Sequence, residues 1–419
     1  FTYNINGGPN QTVVSAGNSA TVAASTAAVG TFIYNLVSVQ DANGSLCSNP
    51  QSGSATVTVN PLPTASVTGT ISVCQNATAP TITFTGAGTT SPYTFTYNIN
   101  GGPNQTIVSV GNTATLTAST ATPGTFTYNL VSVQDASAAA CSQAQTGSAV
   151  VTVNPSPTAN ITGTIAVCRN APSPNVTFTG TTGTAPFTFT YTINGGPNQT
   201  VVSVGNTATV AVPTGTTGTF VYALVSVQDA SPSTCSQAQS GSVTVTVNPL
   251  PTASIAGTIT VCRNAAAPPV TFTGAGGTTP YTFTYNINGG PNQTVVSVGN
   301  TATVNASTAA AGTFTYTLVS VQDASATLCS QSQSGNVVVT VTPLPTAAIS
   351  GTIQVCQNGP SPTITFTGAA STAPYTFTYN INGGPNQTVV SVGNTATVSA
   401  PTGTAGTFIA QFPLPGNVT

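Results

Sequence analysis

The nine residues NINGGPNQT begin at Asn4, Asn98, Asn286 and Asn380, and a copy with one change, TINGGPNQT, begins at Thr192. Consecutive copies lie 94 residues apart. A strict internal period constrains a fold more than composition does, because each period must be one structural unit repeated along the chain. Phe1, Phe95, Phe189, Phe283 and Phe377 keep the same step. So do the cysteines: Cys47, Cys141, Cys235 and Cys329 form one series, and Cys74, Cys168, Cys262 and Cys356 another. The 419 residues therefore divide into repeats at 61–154, 155–248 and 249–342, a partial repeat at 1–60 that lacks its first strands, and a partial or divergent one at 343–419.

Within 61–154 apolar residues alternate with polar ones, and no helical period is present. Val67, Ile71 and Val73 read as a first strand, and Ile82 and Phe84 in TITFTG as a second. Tyr93, Phe95, Tyr97 and Ile99 point to one face of a third strand, Thr94, Thr96, Asn98 and Asn100 to the other. That is a sheet with one buried and one wet face. Gly101, Gly102, Pro103 and Asn104 then read as a hairpin tip, with positive φ expected at the glycines and a left-handed turn at Asn104. TIVSV, ATLTA, GTFTYNLVSV and SAVVTV follow as further strands. Seven or eight short strands in one period predict an all-β chain, a tandem array of immunoglobulin-like β-sandwich domains. VNPLPTA, VNPSPTA, VNPLPTA and VTPLPTA, at Val59, Val153, Val247 and Val341, mark joints stiffened by two prolines.

Composition removes most chemistries. The chain has no His, Met or Trp, and its only bases are Arg169 and Arg263. Two arginines make no surface for nucleic acid. No apolar run has the length of a membrane span, so no membrane insertion is expected. Without His or Lys, and with one carboxylate per repeat, there is no nucleophile–base pair and no acid–base couple, so the chain reads as a non-enzyme without a cofactor. The four acids, Asp41, Asp135, Asp229 and Asp323, all lie in VSVQDA. One carboxylate is too few for calcium, and each is read as opening a loop by an Asx-turn. Asn-x-Thr sequences such as those at Asn10 and Asn104 are read as by-products of an Asn/Thr-rich composition.

SPYTFTYNINGG, GTFTYNLVSVQDA and VTVNPLPTA together resemble the tandem Ig-like and PKD-like repeats of giant surface proteins of Bacteroidota, among them gliding-motility adhesins. The resemblance covers essentially the whole chain. It implies export to the cell surface, often by the type IX route, and specifies no ligand.

Two regularly placed cysteines per repeat, with no CxxC and no His, point to disulfides in an extracellular chain. Cys74 is expected at the turn after the first strand and Cys141 in a loop near the end of the repeat. In an Ig-like sandwich those loops lie at opposite ends, whereas a disulfide tolerates only about 4.4 to 6.8 Å between Cα atoms. End-to-end stacking predicts Cys74–Cys235 and Cys168–Cys329, with Cys47, Cys141, Cys262 and Cys356 pairing outside this stretch. The in-repeat pairs Cys74–Cys141, Cys168–Cys235 and Cys262–Cys329 stay open as the alternative.

These features point to an extracellular structural protein, a stalk or filament on or near a bacterial surface, associating with neighbouring copies. An adhesin whose loops bind glycan or protein is the alternative. Phe1 begins in mid-repeat, so the chain is read as processed or as part of something longer. Residues 343–376 correspond to the segment that 1–60 lacks, which raises strand donation between copies as one expectation and a continuous covalent chain as the other. After Gly406 the sequence departs from the repeat into FIAQFPLPGNVT, and 409–419 carry no repeat signature.

Overall fold

The computed structural model describes residues 1–413; residues 414–419, the end of the divergent segment, lie outside the described residues. Strands and turns make up the described residues, with no helix among them. Two compact units are present, one of Phe1–Gly163, Asn175–Ala211 and Val221–Val243, the other of Thr164–Pro174, Val212–Phe220 and the chain from Thr244 on.

In the first unit the 61–154 repeat carries nine strands. They are β1 (Thr64–Thr68), β2 (Ile71–Cys74), β3 (Thr81–Ala87), β4 (Thr94–Ile99), β5 (Gln105–Val108), β6 (Thr113–Thr117), β7 (Gly124–Gln134), β8 (Ser142–Ala144) and β9 (Ser148–Asn154). One sheet has the order β6–β3–β1, and the other β5–β4–β7–β9–β2, with β8 also on β7. All pairs are antiparallel except β2–β9, which is parallel with Val73 opposite Val153 and Cys74 opposite Asn154. In the second unit, 249–342 repeats both sheets strand for strand, including the parallel pairing of Ile259–Cys262 with Asn336–Thr342. The chain is a tandem array of immunoglobulin-like β-sandwich repeats.

The inward residues of the two sheets meet as the alternation requires. Ile82 and Phe84 of β3 face Phe95, Tyr97, Tyr128, Leu130, Val151 and Val153, all buried. Phe84 spans the layers, its ring 5.7 Å from Phe95 and 5.1 Å from Tyr97. Burying one such ring contributes about 1.5 to 3 kcal/mol, so each complete repeat holds a core of its own. Tyr93 lies flat over Gly86, where a Cβ would stand 2.5 Å from the ring. Its hydroxyl donates to Thr89 O at 2.7 Å, and its N–H donates to Ser109 Oγ at 2.6 Å.

Three expectations need correction. The single first strand is two strands in opposite sheets, divided at Gly69, whose φ of +123° swings the chain across. A Cβ there would lie 2.7 Å from Thr81 O. The strand count is nine, because the long segment after GTFTY folds back through the short β8. The hairpin turns one residue earlier than expected: Asn100 (φ 52°) and Gly101 (φ 73°) hold the left-handed positions, closed by Gly102 N donating to Ile99 O at 3.0 Å. Neither Gly102 nor Asn104 has positive φ.

The partial repeats show what each strand depends on. In 1–60, Ser19–Ala23 corresponds to β6 but forms no strand, since no counterpart of β3 lies beside it. The inner face of that five-stranded sheet is left as a cavity of about 590 Å3 lined by Phe1, Tyr3, Tyr34, Leu36 and Val57. Ile353–Cys356 corresponds to β2 and is likewise not a strand, having no counterpart of β9. Ala410–Gln411 pairs with Asn380–Ile381, and Phe412 packs on Phe366 with ring centroids 5.9 Å apart.

Candidate functional site

Chemistry concentrates where one repeat follows another. The parallel β2–β9 pair ends with Cys74 beside Asn154, and Gln75 N donates to Asn154 O at 2.8 Å. β9 is the last strand before Pro155, so this pairing carries Cys74 to the joint. On the far side is the loop of the next repeat that contains Cys235. Cys74 and Cys235 are bonded, with Cα atoms 5.5 Å apart and a sequence separation of 161. Asn154 Nδ2 donates to Ser72 Oγ at 3.1 Å within its own repeat and to Ser233 Oγ at 2.9 Å in the next.

The second unit contains the same arrangement. Cys168 and Cys329 are bonded with Cα atoms 5.6 Å apart, Arg169 N donates to Asn248 O at 2.8 Å, and Asn248 Nδ2 donates to Thr327 Oγ1 at 2.9 Å. Cys235 and Cys329 are almost wholly buried, at 1% and 0% exposure. Their partners Cys74 and Cys168 are half-buried, so one side of each bond is shielded from small reductants in solution. The four remaining cysteines have no partner among the described residues: Cys47, Cys262 and Cys356 are exposed and Cys141 is half-buried. Cys141, the partner of Cys74 in the in-repeat alternative, is free, while Cys74 is bonded to Cys235.

The repeated aspartate organises the cysteine loop. Asp229 Oδ1 accepts from Ser231 N at 3.2 Å, Ser231 Oγ at 2.7 Å and Cys235 N at 2.9 Å, and Asp229 N donates to Cys235 O at 2.9 Å. Thr184 N reaches its other oxygen at 3.1 Å. The residue before the cysteine is left-handed in each loop, with φ 49° at Ala140, 47° at Thr234 and 50° at Leu328. Such a conformation costs an L-residue about 1–2 kcal/mol, and the carboxylate clamp holds it in place. For Asp135 burial pushes the carboxyl up, but hydrogen bonds from the Ser137 side chain and N–H and from Cys141 N–H outweigh it and hold it below the ordinary carboxylate range. Among the described residues no group of three His, Cys, Asp or Glu side chains gathers.

At the hairpin, Pro103 and Asn104 are exposed, and the tip is tied down by two residues of the wet face, Asn98 and Asn100. Asn100 Oδ1 accepts from Thr127 N at 2.7 Å and Nδ2 donates to Thr125 O at 3.2 Å, tying the tip to β7. Asn98 Oδ1 accepts from Gly101 N and from Asn129 Nδ2, both at 3.0 Å. The signal was in the text: Asn-Gly is the strongest short hairpin turn signature. A third such carboxamide, Gln145, spans 80 residues, with Oε1 accepting from Ala65 N at 3.3 Å at the start of β1.

No family model and no curated protein matches this chain. Solved structures with a related arrangement include protocadherin gammaB7 EC3-6 (12% identity over 80% of this chain and 91% of that one, TM-score 0.33). Fibronectin(III)-like modules of CbhA from Clostridium thermocellum match at 13% identity over 44% of this chain and 94% of theirs, TM-score 0.22. The BSP domain of a biofilm-associated protein matches at 12% over 66% of each chain, TM-score 0.20. At TM-scores this low the likenesses carry no inference about what the chain does.

Proposed function

We propose that this chain is a stretch of an extracellular structural protein, a stalk or filament on or near a bacterial surface, with each repeat serving as one length increment. The observation that carries the reading is the pair of disulfides that join the three complete repeats in series. Such bonds persist in oxidising surroundings, and a bond at a joint fixes spacing where a bond inside a sandwich would only stabilise the sandwich. The hairpin tips support the same reading: their side chains are occupied in holding β4 to β7, and nearly the same sequence stands in all five copies. The resemblance of its sequence to surface repeats of Bacteroidota supports a bacterial setting. Association with neighbouring copies belongs to the same proposal, as do the boundaries at 60/61, 154/155, 248/249 and 342/343.

Electron microscopy of the oxidised protein tests this. Elongated particles gaining about 35 to 45 Å per repeat support it, the increment following from strands of up to eleven residues at about 3.4 Å each plus their loops. Compact particles would count against it. The adhesin reading is favoured by one observation, the exposed Val108 and Val110 beside the hairpin and their counterparts, Val110 being 90% exposed. Glycan or surface-protein capture abolished by Val110→Asn would move the assignment to that class.

A further inference from the structure

The two bridges interleave along the chain: Cys168 lies inside the stretch closed by Cys74–Cys235, and Cys235 lies inside the stretch closed by Cys168–Cys329. We propose that this interleaving is a redundant load path, so that a stretched array keeps most of its length in reserve even after one of two neighbouring bridges breaks. The proposal rests on the structural reading for its purpose, though its test reads bond connectivity alone.

Tension between the chain ends follows the shortest covalent route. It runs from Phe1 to Cys74, crosses to Cys235, returns along the chain to Cys168, crosses to Cys329 and continues to the end. The return leg is about 67 residues, or roughly 230 Å when fully drawn out at about 3.4 Å per residue. Either bridge alone withholds 161 residues of chain from the load. Both together withhold only about 188, because the stretch between Cys168 and Cys235 belongs to both loops and is then traversed backwards. Cutting one bridge thus releases about 27 residues, roughly 90 Å, and cutting the second releases the remaining 161. Bridges confined within repeats have no such property. Each would act alone, and each lost bond would release its own loop of about 67 residues, roughly 230 Å.

Buried Cys235 and Cys329 fit the role, since a load-bearing bond should be hard to reach by a thiol reductant. Reduction, when it occurs, consumes one dithiol per bridge: the reductant loses two electrons and two protons to become a cyclic disulfide, and each bridge becomes two thiols.

Single-molecule extension of the full chain, held at its two ends, decides the matter. Dithiothreitol should lengthen the fully extended wild type by about 640 Å, the withheld ~188 residues at about 3.4 Å each. The double variant Cys74→Ser, Cys235→Ser should be only about 90 Å longer than oxidised wild type, and its full extension does not depend on how stably each sandwich folds. An increase of about 460 Å in that variant, as two lost in-repeat loops would give, overturns the proposal. So does an oxidised wild type that extends as far as the reduced one. Both results are independent of whether the particles look elongated or bind a ligand.

Discussion

Replacing Asn100 by Ala isolates what the most repeated stretch of the sequence contributes. The substitution removes the acceptor for Thr127 N and the donor to Thr125 O. Hydrogen bonds at an exposed site contribute about 0.5 to 1.5 kcal/mol each, and here the lower half of that range applies because water can replace the lost partners. It also puts a Cβ-bearing residue without a local carboxamide at φ 52°, at a further cost of about 1 kcal/mol. The sum is about 2 to 3 kcal/mol against the 61–154 repeat. Asn100→Gly loses the hydrogen bonds but keeps the left-handed backbone, so it should cost about half as much. Hydrogen exchange in the full chain is the assay, because β4 and β7 amides report this repeat while the counterparts in 249–342 stay as an internal reference. Exchange in β4 and β7 should accelerate by roughly 30- to 150-fold for the alanine variant under conditions where local opening controls exchange. Equal effects of Ala and Gly would refute the backbone argument, and a change below about 0.5 kcal/mol for both would refute the account of the hairpin.

Gly86→Ala should cost the same repeat about 1 to 3 kcal/mol through the contact with Tyr93, whereas Gly215→Ala, with open space around it, should change its repeat by less than about 0.5; local exchange separates them. Because the fold holds the Asp135 carboxyl below its ordinary range, its contribution is fully present above the unfolded-state value near 4 and is lost as pH falls through the lower folded-state value. Urea unfolding of this repeat should therefore weaken only below about pH 4, and Asp135→Asn should flatten that acid limb; an unchanged limb contradicts the assignment. Asn-Gly pairs lose ammonia when the glycine nitrogen attacks the asparagine side chain, and that nitrogen is engaged by Asn4, Asn98, Asn286 and Asn380 at 3.0 to 3.2 Å. Thr192 stands at that place before Asn194-Gly195, so Asn194 should deamidate roughly five-fold faster, about the worth of one hydrogen bond; peptide mass spectrometry after alkaline incubation giving equal rates would contradict it.

What the sequence made legible is what depends on neighbours two residues away. Alternation in TFTYNI and TITFTG gives the strand and its buried face, and the 94-residue step gives the tandem array. Less legible is anything set by a partner far along the chain. Val67 and Val73 have the same alternation, yet Val67 pairs with Phe84 in one sheet and Val73 with Val153 in the other, a partner 80 residues away. Only Gly69 between them hints at the switch. Asn98 and Asn100 read as solvent-facing because alternation reports burial and is silent on a carboxamide that bonds a neighbouring strand from the wet side. At the joints the spacing of cysteines was compatible with partners in the same repeat or the next, and what separates these in the structure is that β2 runs parallel to β9 and so delivers Cys74 to the end where the following repeat starts. Asn154 and the Ser233 hydroxyl that completes the joint had no signature in the text, since each matters only once the two repeats are side by side.

The central claim is that covalent bonds join successive repeats, and disulfide mapping of the protein under non-reducing, acidic conditions tests it most directly. After proteolysis with thiols blocked, the account predicts peptides containing Cys74 linked to Cys235 and Cys168 linked to Cys329, both disappearing on reduction. Recovery of Cys74 linked to Cys141 and Cys168 linked to Cys235 would contradict it, leaving a chain of separately stapled sandwiches with nothing covalent but the backbone across each joint.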